Sequence, residues 1–141
     1  MKFFFDTNVL VYMFDAGAPG KQETARALFG THAEAGDILL STQVLQEFYV
    51  TVTRKLDQPL SVDTATEVVT GLAEFPGVQI DSKLVLAAIR RSQTSQLSFW
   101  DALIVQTARD GGATTLYSED MQNGQIMDGV KVVNPFARQP G

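Results

Sequence analysis

FFFDTN, at residues 3–8, is an apolar run of aromatic residues that stops on the carboxylate of Asp6. Short apolar runs that are followed by turn-forming residues are typical of central strands in parallel sheets. Ligands of open α/β sheets bind at the carboxyl ends of such strands, so Asp6 is a candidate site residue. Aspartate is also a good helix N-cap, and a helix is predicted to begin near Val9. This stretch alone leaves both roles of Asp6 open.

The length of the chain suits one domain that spans residues 1–141 with its own hydrophobic core. The chain contains no cysteine, which excludes a disulfide framework and any thiolate metal site. Asp6 interrupts the N-terminal apolar run before it reaches the length of a signal-peptide core. No later stretch has the roughly 18 uninterrupted apolar residues of a membrane span. These features predict a cytoplasmic protein with no membrane association.

The charge of the chain is negative overall, with a formal net charge of -5 and a pI near 4.7. Such a balance argues against binding nucleic acid through overall electrostatics. The placement of the acids matters more than their number, because carboxylates that converge in one pocket can hold cations there. We therefore searched for acids that a parallel sheet would bring to one edge.

The apolar pattern predicts short strands that alternate with helices. The predicted strands are residues 3–5, 38–41, 78–80, 114–117 and 130–133, and the predicted helices are residues 9–14, 21–35, 42–55, 61–74, 82–95 and 98–110. Alternation of this kind predicts an α/β fold with a parallel, doubly wound sheet flanked by helices.

Four acids fall near the predicted carboxyl edge of this sheet: Asp6, Glu47, Asp101 and Asp120. Asp6 ends the first strand, Glu47 lies in the second turn of the helix after the second strand, and Asp120 follows the fourth strand. Each of these three alone is as well explained as a cap, a surface residue or a turn residue. What indicates a site is that separate segments of the chain bring these acids to the same edge of the sheet.

Asp101 has a specific structural alternative, because Ser98 and Asp101 match a capping box at the start of a helix. However, Ile104, Val105 and Ala108 follow Asp101 at i+3, i+4 and i+7. The Asp101 carboxylate therefore lies at the N-terminal end of the apolar face of that helix. A charge in such a position is costly unless it is paired, hydrogen-bonded or bound to a metal. The pattern favours a functional role and leaves the capping role open.

Clustered carboxylates imply a cation. Two carboxylates about 4 Å apart repel by roughly 4 kcal/mol at an effective dielectric of about 20, and a divalent ion turns that repulsion into ligation. An all-oxygen site suits Mg²⁺ or Mn²⁺. The only histidine, His32, lies near the end of a predicted helix, far in sequence from the acids, and is predicted to be a surface residue.

Several motifs together resemble the PIN-domain ribonucleases, especially the VapC-type toxins of bacterial toxin–antitoxin pairs. They are Asp-Thr-Asn after the first strand and three later segments: residues 46–48 (QEF), 99–104 (FWDALI) and 117–120 (YSED). Each motif is weak by itself. Their order and spacing over nearly the whole chain, ending at residues 132–136 (VVNPF), make the set specific.

The resemblance implies a PIN-like three-layer α/β/α fold with a five-stranded parallel sheet, and RNA cleavage that depends on Mg²⁺ or Mn²⁺. It also implies a homodimer and a cognate antitoxin that blocks the site. By position, the resemblance assigns catalysis and metal binding to Asp6, Glu47, Asp101 and Asp120. It assigns supporting roles to Thr7, Asn8 and Ser118, which would orient the carboxylates. Whether Glu119 touches the metal is left open.

For the mechanism, we expect a metal-activated water to attack the phosphodiester in line, without a covalent enzyme intermediate. Five basic residues are candidates for phosphate contacts, although for most of them an ordinary solvated helix position is the better explanation. These residues are Arg54, Lys55, Arg90, Arg91 and Arg109.

Two alternatives remain. A phosphoryl-accepting receiver domain is another small doubly wound fold with acids at strand ends, but it needs a lysine near the carboxyl end of its last strand, and Lys131 lies inside that strand. The second alternative keeps the PIN fold and makes it a catalytically silent module that binds RNA or protein.

Overall fold

A computed structural model describes residues 1–137 of the chain. Its elements, in chain order, are β1 (Lys2–Phe5), α1 (Thr7–Tyr12), α2 (Pro19–Ala35), β2 (Ile38–Ser41), α3 (Thr42–Arg54), α4 (Val62–Leu72), β3 (Gly77–Val78), α5 (Ser82–Thr94), α6 (Phe99–Asp110), β4 (Ala113–Tyr117), β5 (Ile126–Met127) and β6 (Val130–Val133). None of the helices in this part of the chain is long and apolar enough to cross a membrane.

The strands form one mostly parallel sheet in the order β3-β2-β1-β4-β6-β5. The predicted α/β fold with a central parallel sheet flanked by helices is thereby confirmed, and the five predicted strands are all present. The sheet has six strands instead of five, because β5 pairs antiparallel with β6. Asp128 and Gly129 connect β5 to β6, and both have positive φ values, 49° and 80°. Such backbone angles are typical of a two-residue hairpin turn, and Asp-Gly favours them.

β1 lies at the centre of the sheet, between β2 and β4. Phe5 is in register with Tyr117 of β4, and the N–H of Asp6 continues the ladder by donating to the carbonyl of Tyr117 at 2.9 Å. The residues that follow β1 and β4 therefore lie side by side. This register places Asp6 beside Ser118, although 112 positions separate them in the sequence.

The observed starts of α1 and α2 differ from the predicted starts for local reasons. α1 begins at Thr7, two residues before the predicted start at Val9, because Asp6 caps it by accepting a hydrogen bond from the N–H of Thr7. α2 begins at Pro19, where the fixed φ of proline and its missing N–H suit the first turn of a helix. It ends as predicted at Gly36, whose φ of 72° is easily adopted by glycine.

α6 is buried on nearly all sides, from Ala102 to Ala108, and not only on the predicted apolar face. One side, which includes Ile104 and Val105, joins the main core beside the sheet. The other side presents Leu103 to Leu84 and Ala88 of α5 in a second, smaller cluster. The position of α6 between the sheet and α5 holds the first turn of the helix, where Asp101 lies, rigidly against the sheet.

The prediction that His32 is a surface residue is wrong. Only 9% of His32 is exposed, and both ring nitrogens have partners: Nδ1 lies 2.8 Å from Oδ1 of Asp37, and Nε2 lies 2.9 Å from the hydroxyl oxygen of Tyr117. The ring also packs against Phe3, with centroids 4.2 Å apart. We refer to His32, Asp37 and Tyr117 as the His32 cluster. In the last turns of α2, the face that carries His32 packs toward β1 and β4. The local sequence does not reveal this orientation.

Candidate functional site

Asp6 is buried at the carboxyl end of β1, with 5% of the residue exposed. Its Oδ1 accepts a hydrogen bond from the N–H of Thr7 at 2.7 Å, and its Oδ2 accepts one from the hydroxyl of Ser118 at 2.8 Å. The capping role of Asp6 is therefore observed. The second oxygen of the carboxylate is turned toward the segment after β4, so the capping role does not compete with a site at this edge.

The pKa of Asp6 is raised from 3.8 to about 7, and loss of hydration on burial is the largest cause. The hydrogen bonds from Ser118 and Thr7 lower the pKa, whereas the charges of Asp120 and Glu47 raise it further. Neutral pH thus lies close to the titration midpoint of Asp6. A nearby cation would favour the ionised form and would remove this cost.

Asn8 and Ser118 connect the start of α1 to the segment after β4. The side-chain amide of Asn8 donates to Oδ2 of Asp120 at 3.0 Å and approaches Oδ2 of Asp6 at 3.4 Å. Its carbonyl oxygen accepts the N–H of Glu119 at 3.1 Å, and Ser118 Oγ accepts the N–H of Asp120 at 3.2 Å. These contacts orient two of the predicted acids with respect to each other.

Thr7 contributes its backbone N–H to Asp6, as described above. Its hydroxyl oxygen is buried and has no hydrogen-bond partner among residues 1–137. A buried hydroxyl without a partner is costly, and such groups are common at binding sites. Thr7 therefore contacts Asp6 through its backbone N–H, and its hydroxyl oxygen is not used in any hydrogen bond among residues 1–137.

Asp101 lies in the first turn of α6, and Ser98 caps this helix by accepting the N–H of Asp101 at 3.1 Å. The capping box is incomplete in the described residues, since no bond from the N–H of Ser98 to the Asp101 carboxylate is present there. Burial and the charge of Asp120 raise the pKa of Asp101, and a hydrogen bond with the Ser98 side chain lowers it. The carboxylate is therefore close enough to Asp120 to be repelled by it.

Glu47 lies on the exposed side of α3, near the same edge. Partial loss of hydration is the largest cause of its raised pKa, and the charges of Asp101 and Asp120 add to the rise. A hydrogen bond with Gln43 and the positive charge of Lys55 act in the opposite direction. Gln43 is not among the predicted site residues, and its position one helical turn before Glu47 is the only sequence signal that could have indicated it.

The structure thus brings all four predicted acids into electrostatic contact. The charge of Asp120 raises the pKa of Asp6, of Glu47 and of Asp101, so Asp120 is the neighbour that the other three share. Asp120 is itself exposed. We refer to Asp6, Glu47, Asp101 and Asp120 as the acid cluster.

Three grooves meet at the acid cluster. They are neighbours because each of them shares a lining residue with another of the three. Glu47 lines one groove with Lys55 and Trp100, and a second groove with Asn8, Tyr12 and Asp120. Asp120 also lines a third groove together with Asp101. A larger groove of about 550 Å³ lies between α2 and the ends of β4 and β6, but none of the four acids lines it. The carboxylates, and not the size of a cavity, therefore define this site.

The acid cluster offers the oxygen ligands that Mg²⁺ and Mn²⁺ prefer. Within residues 1–137, however, no three acidic or histidine side chains are close enough together to form a complete metal-binding set. Glu47 and Asp120 are exposed, and the Asp120 carboxylate accepts one hydrogen bond, from Asn8, whereas both oxygens of Asp6 are bonded, to Thr7 and Ser118. The donor chemistry fits such a cation, provided that the exposed carboxylates move inward.

Glu119, which the sequence left undecided, is held by two partners outside the acid cluster. It accepts a hydrogen bond from the hydroxyl of Tyr12 at 2.7 Å and forms an ion pair with Lys21. Lys21 also lies over the ring of Tyr12, 4.8 Å from its centroid. These contacts link the segment after β4, which also contains Asp120, to α1 and α2.

Two of the predicted phosphate-binding residues are engaged elsewhere. Arg91 bonds to Gln106 and forms an ion pair with Asp128, and Arg109 forms one with Asp110. The side chain of Arg91 is only 15% exposed, so Arg91 does not occupy an ordinary solvated helix position. Among the five candidates, Lys55 is the one that lines a groove containing Glu47.

The family model for the PIN domain matches residues 3–123, which include all seven predicted site residues. No curated protein sequence matches the chain at a significant level.

Similar solved structures include the toxin VapC20 of Mycobacterium tuberculosis, described as cleaving the sarcin–ricin loop. The two chains are 21% identical, with a TM-score of 0.65 over 84% of this chain and 90% of that one. A toxin–antitoxin complex from Klebsiella pneumoniae gives 20% identity and a TM-score of 0.69 over 94% and 97%. DNA-bound VapBC from Salmonella typhimurium gives 17% identity and a TM-score of 0.64 over 94% of this chain and 96% of that one. At these identities the likeness shows the fold.

Proposed function

The chain belongs to the PIN-domain family, and on this basis we propose that it is a metal-dependent endoribonuclease and the toxin of a toxin–antitoxin pair. The observation that carries the proposal is the acid cluster, in which burial and mutual repulsion raise the pKa of Asp6, Glu47 and Asp101. A fold gains nothing from gathering like charges at one edge unless a cation compensates them.

Asp6, Glu47, Asp101 and Asp120 would hold Mg²⁺ or Mn²⁺ at this edge. A divalent ion in such a site activates a water molecule and stabilises the leaving oxygen of a phosphodiester. Asp6 is the fixed member of the set, because Thr7 and Ser118 each bind one of its oxygens. Asn8 and Ser118 keep Asp120 next to Asp6, so these two side chains orient the carboxylates.

The reaction is hydrolysis, in which a P–O bond forms to the attacking water as the bond to the leaving ribose oxygen breaks. No side chain among residues 1–137 is set up as a nucleophile. The chain has no cysteine, and its only histidine is occupied by Asp37 and Tyr117, so it cannot activate a serine at this edge. Direct attack by water agrees with this set of side chains.

The proposed partners are an RNA substrate, an antitoxin protein and a second copy of the chain. The antitoxin follows from the likeness to structures described as toxin–antitoxin complexes. The homodimer follows from the family resemblance and is tested by the molar mass in solution. The receiver-domain alternative is not supported, because the family match points to the PIN domain and Lys131 lies within β6, as the sequence predicted.

Cleavage of RNA with and without Mg²⁺ or Mn²⁺ tests the proposal. We expect the wild type to cut only when the ion is present, and we expect Asp6→Asn and Asp101→Asn to lower the rate at least about 100-fold. Glu67→Gln is the matched control, since Glu67 is an exposed acid on α4, away from the cluster. A wild type that is inert on every RNA tried, or variants that cut as well as it does, would contradict the nuclease.

Metal binding can be measured without activity. Because Mg²⁺ or Mn²⁺ would bind the folded state, a concentration about 100 times the dissociation constant should stabilise the wild type by about 3 kcal/mol. Asp6→Asn should lose most of this gain, and Glu67→Gln should keep it. An ion-dependent gain in both variants would place the ion elsewhere.

A catalytically silent PIN-fold module is the second candidate, and one observation favours it: the described acids do not form a complete metal set. Such a module would bind RNA or protein without cutting, and it would show no specific stabilisation by Mg²⁺ or Mn²⁺. The cleavage and stability measurements above separate the two candidates.

A further inference from the structure

Trp100 is the only tryptophan of the chain, and it lies in the first turn of α6, directly before Asp101. Although it is large and apolar, 62% of the residue is exposed. The ring of Phe99 packs against it edge-on, with centroids 5.1 Å apart. Tryptophan is highly buried on average, so an aromatic ring left in solvent beside an acid cluster calls for an explanation.

The groove beside Trp100 has walls of different chemistry. α3 contributes the acid Glu47, and Lys55, the residue directly after α3, contributes a cation two turns later, with the apolar side chain of Val50 between them. Trp100 lines the same groove from α6. A ligand in this groove would therefore meet an aromatic ring, one positive charge and, at one end, the acid cluster.

Gln43 ties these parts together at the base of the groove. It is only 4% exposed, and its side-chain nitrogen donates to the backbone carbonyl of Trp100 at 3.5 Å. Its side-chain oxygen is buried without a hydrogen-bond partner among residues 1–137. This buried acceptor on the wall of the groove is therefore available to a water molecule or to a group of a ligand.

The charges around the groove restrict how an RNA chain can be held. The protein carries a net charge of -5, and four acids surround the place where a phosphate would bind. Among residues 1–137, Lys55 is the only basic residue that lines this groove. Attraction of phosphates by basic side chains is therefore limited here, so contacts with the bases should contribute to the affinity.

We propose that the indole ring of Trp100 stacks on an unpaired nucleobase of the RNA, with Lys55 contacting a phosphate of the same strand. The inference rests on the proposed function, because it names the substrate contact of that site. Bases of a duplex are already stacked on their neighbours, so this contact selects single-stranded or looped RNA. Trp100 shares its groove with Glu47 of the acid cluster, which places the stacked nucleotide next to the phosphodiester to be cut.

A protein segment is the other possible occupant of an exposed tryptophan. RNA is favoured because the ring shares its groove with Glu47, an acid of the proposed catalytic set, and with the cationic side chain of Lys55. A nucleotide would use all three features: its base would stack on the ring, one phosphate would contact Lys55, and the phosphodiester would meet the cation that Glu47 would help to hold. A protein ligand would need only the ring.

Intrinsic fluorescence measures stacking directly, since Trp100 is the sole tryptophan. We would titrate the Asp6→Asn protein, which should not cut, with the hexamers A6 and U6 and with an abasic hexamer of the same backbone. Stacking predicts quenching by the two hexamers and little quenching by the abasic strand. Equal quenching by all three, or none, would overturn the proposal.

Variants extend the test to affinity and turnover. In the Asp6→Asn background, Trp100→Ala should weaken binding of the hexamers about 5- to 100-fold, and Trp100→Phe should stay within about 3-fold, because a smaller ring still stacks. In the otherwise wild-type protein, Trp100→Ala should raise KM by a similar factor and leave kcat within about 3-fold. Leu86→Ala, which removes an exposed apolar side chain from α5, is the control and should change neither.

The outcomes separate this inference from the proposed function. If the wild type cuts RNA and Trp100→Ala binds and cuts as well as it does, the ring serves a protein partner and the stacking proposal fails. If the wild type cuts nothing but the hexamers still quench Trp100, the stacking proposal stands and the protein is a silent binding module. If there is neither cleavage nor quenching, both proposals fail.

Discussion

The acid cluster and the His32 cluster both involve residues of β1 and β4 or their immediate neighbours, but they satisfy their polar groups in different ways. In the His32 cluster, each ring nitrogen of a buried histidine has one partner, Asp37 or Tyr117, at 2.8 and 2.9 Å. In the acid cluster, the charges of four carboxylates act on one another, and the pKa values of three of them are raised. The first arrangement is complete without a ligand, whereas in the second the positive charge of Lys55 offsets the repulsion only at Glu47.

This difference separates structural from functional polar groups. Buried polar groups that are hydrogen-bonded stabilise a fold or are neutral to it, whereas buried like charges destabilise it. The cost is tolerated at a site that gains a ligand. Substitutions in the two clusters should therefore change the free energy of unfolding in opposite directions, and the following predictions run from the largest expected effect to the smallest.

Asp6→Asn should stabilise the protein in metal-free buffer at neutral pH. The pKa of Asp6 is 3.8 in the unfolded chain and about 7 in the fold, so the folded state holds more protons between these values. Stability should then fall as the pH rises from about 4 to about 7, by at most about 4 kcal/mol from this group. Urea unfolding in the presence of a chelator, at pH values from 4.5 to 8, measures this change in the free energy of unfolding.

The Asp6→Asn variant should lose most of this pH dependence and gain stability chiefly at the upper end of the range. Glu47 and Asp101 contribute a smaller slope in the same direction, because their pKa values are also raised. Parallel pH profiles for the wild type and the variant would mean that Asp6 is not a strained carboxylate.

His32→Ala should destabilise the protein by about 2–3 kcal/mol, because it leaves Asp37 and the Tyr117 hydroxyl without their partner and opens a cavity beside Phe3. Chemical unfolding measures the loss. RNA cleavage per folded molecule should stay within about 3-fold of the wild type. The matched control is Thr31→Ala, an exposed neighbour on α2. A selective loss of cleavage without a loss of stability would give the His32 cluster a role in the reaction.

Asp101→Asn should change stability in metal-free buffer by less than about 1 kcal/mol, or slightly increase it, because it removes one of several repelling charges. Ser98→Ala should cost about 1 kcal/mol, since Ser98 provides the observed cap of α6. Thermal unfolding of the two variants compares these roles. A loss for Asp101→Asn as large as that for Ser98→Ala would support the capping role of Asp101.

Local patterns in the sequence were sufficient for most of the fold. The mostly apolar four-residue stretches ILLS and VKVV predicted β2 and β6. Gly36, Ser61 and Ser98 indicated helix ends, because strand and helix signals depend on residues close in sequence. The β5–β6 hairpin was missed even though Asp128-Gly129 is a known turn signal. The four acids were identified as a group from their positions near strand ends, and their metal-binding role stays a prediction.

The pairing of charged and polar groups was decided only by the tertiary structure. His32 and Tyr117 are separated by 85 positions, and Arg91 meets Asp128 across 37, so no local pattern distinguishes them from surface residues. The same holds for the role of Asp120 as the common neighbour of the other acids and for the groove shared by Trp100 and Lys55. The sequence by itself determined which residues end the strands, because strand and helix signals are local. The fold determined which of their side chains are neutralised and which are left facing like charges, because electrostatic energies depend on distances in space.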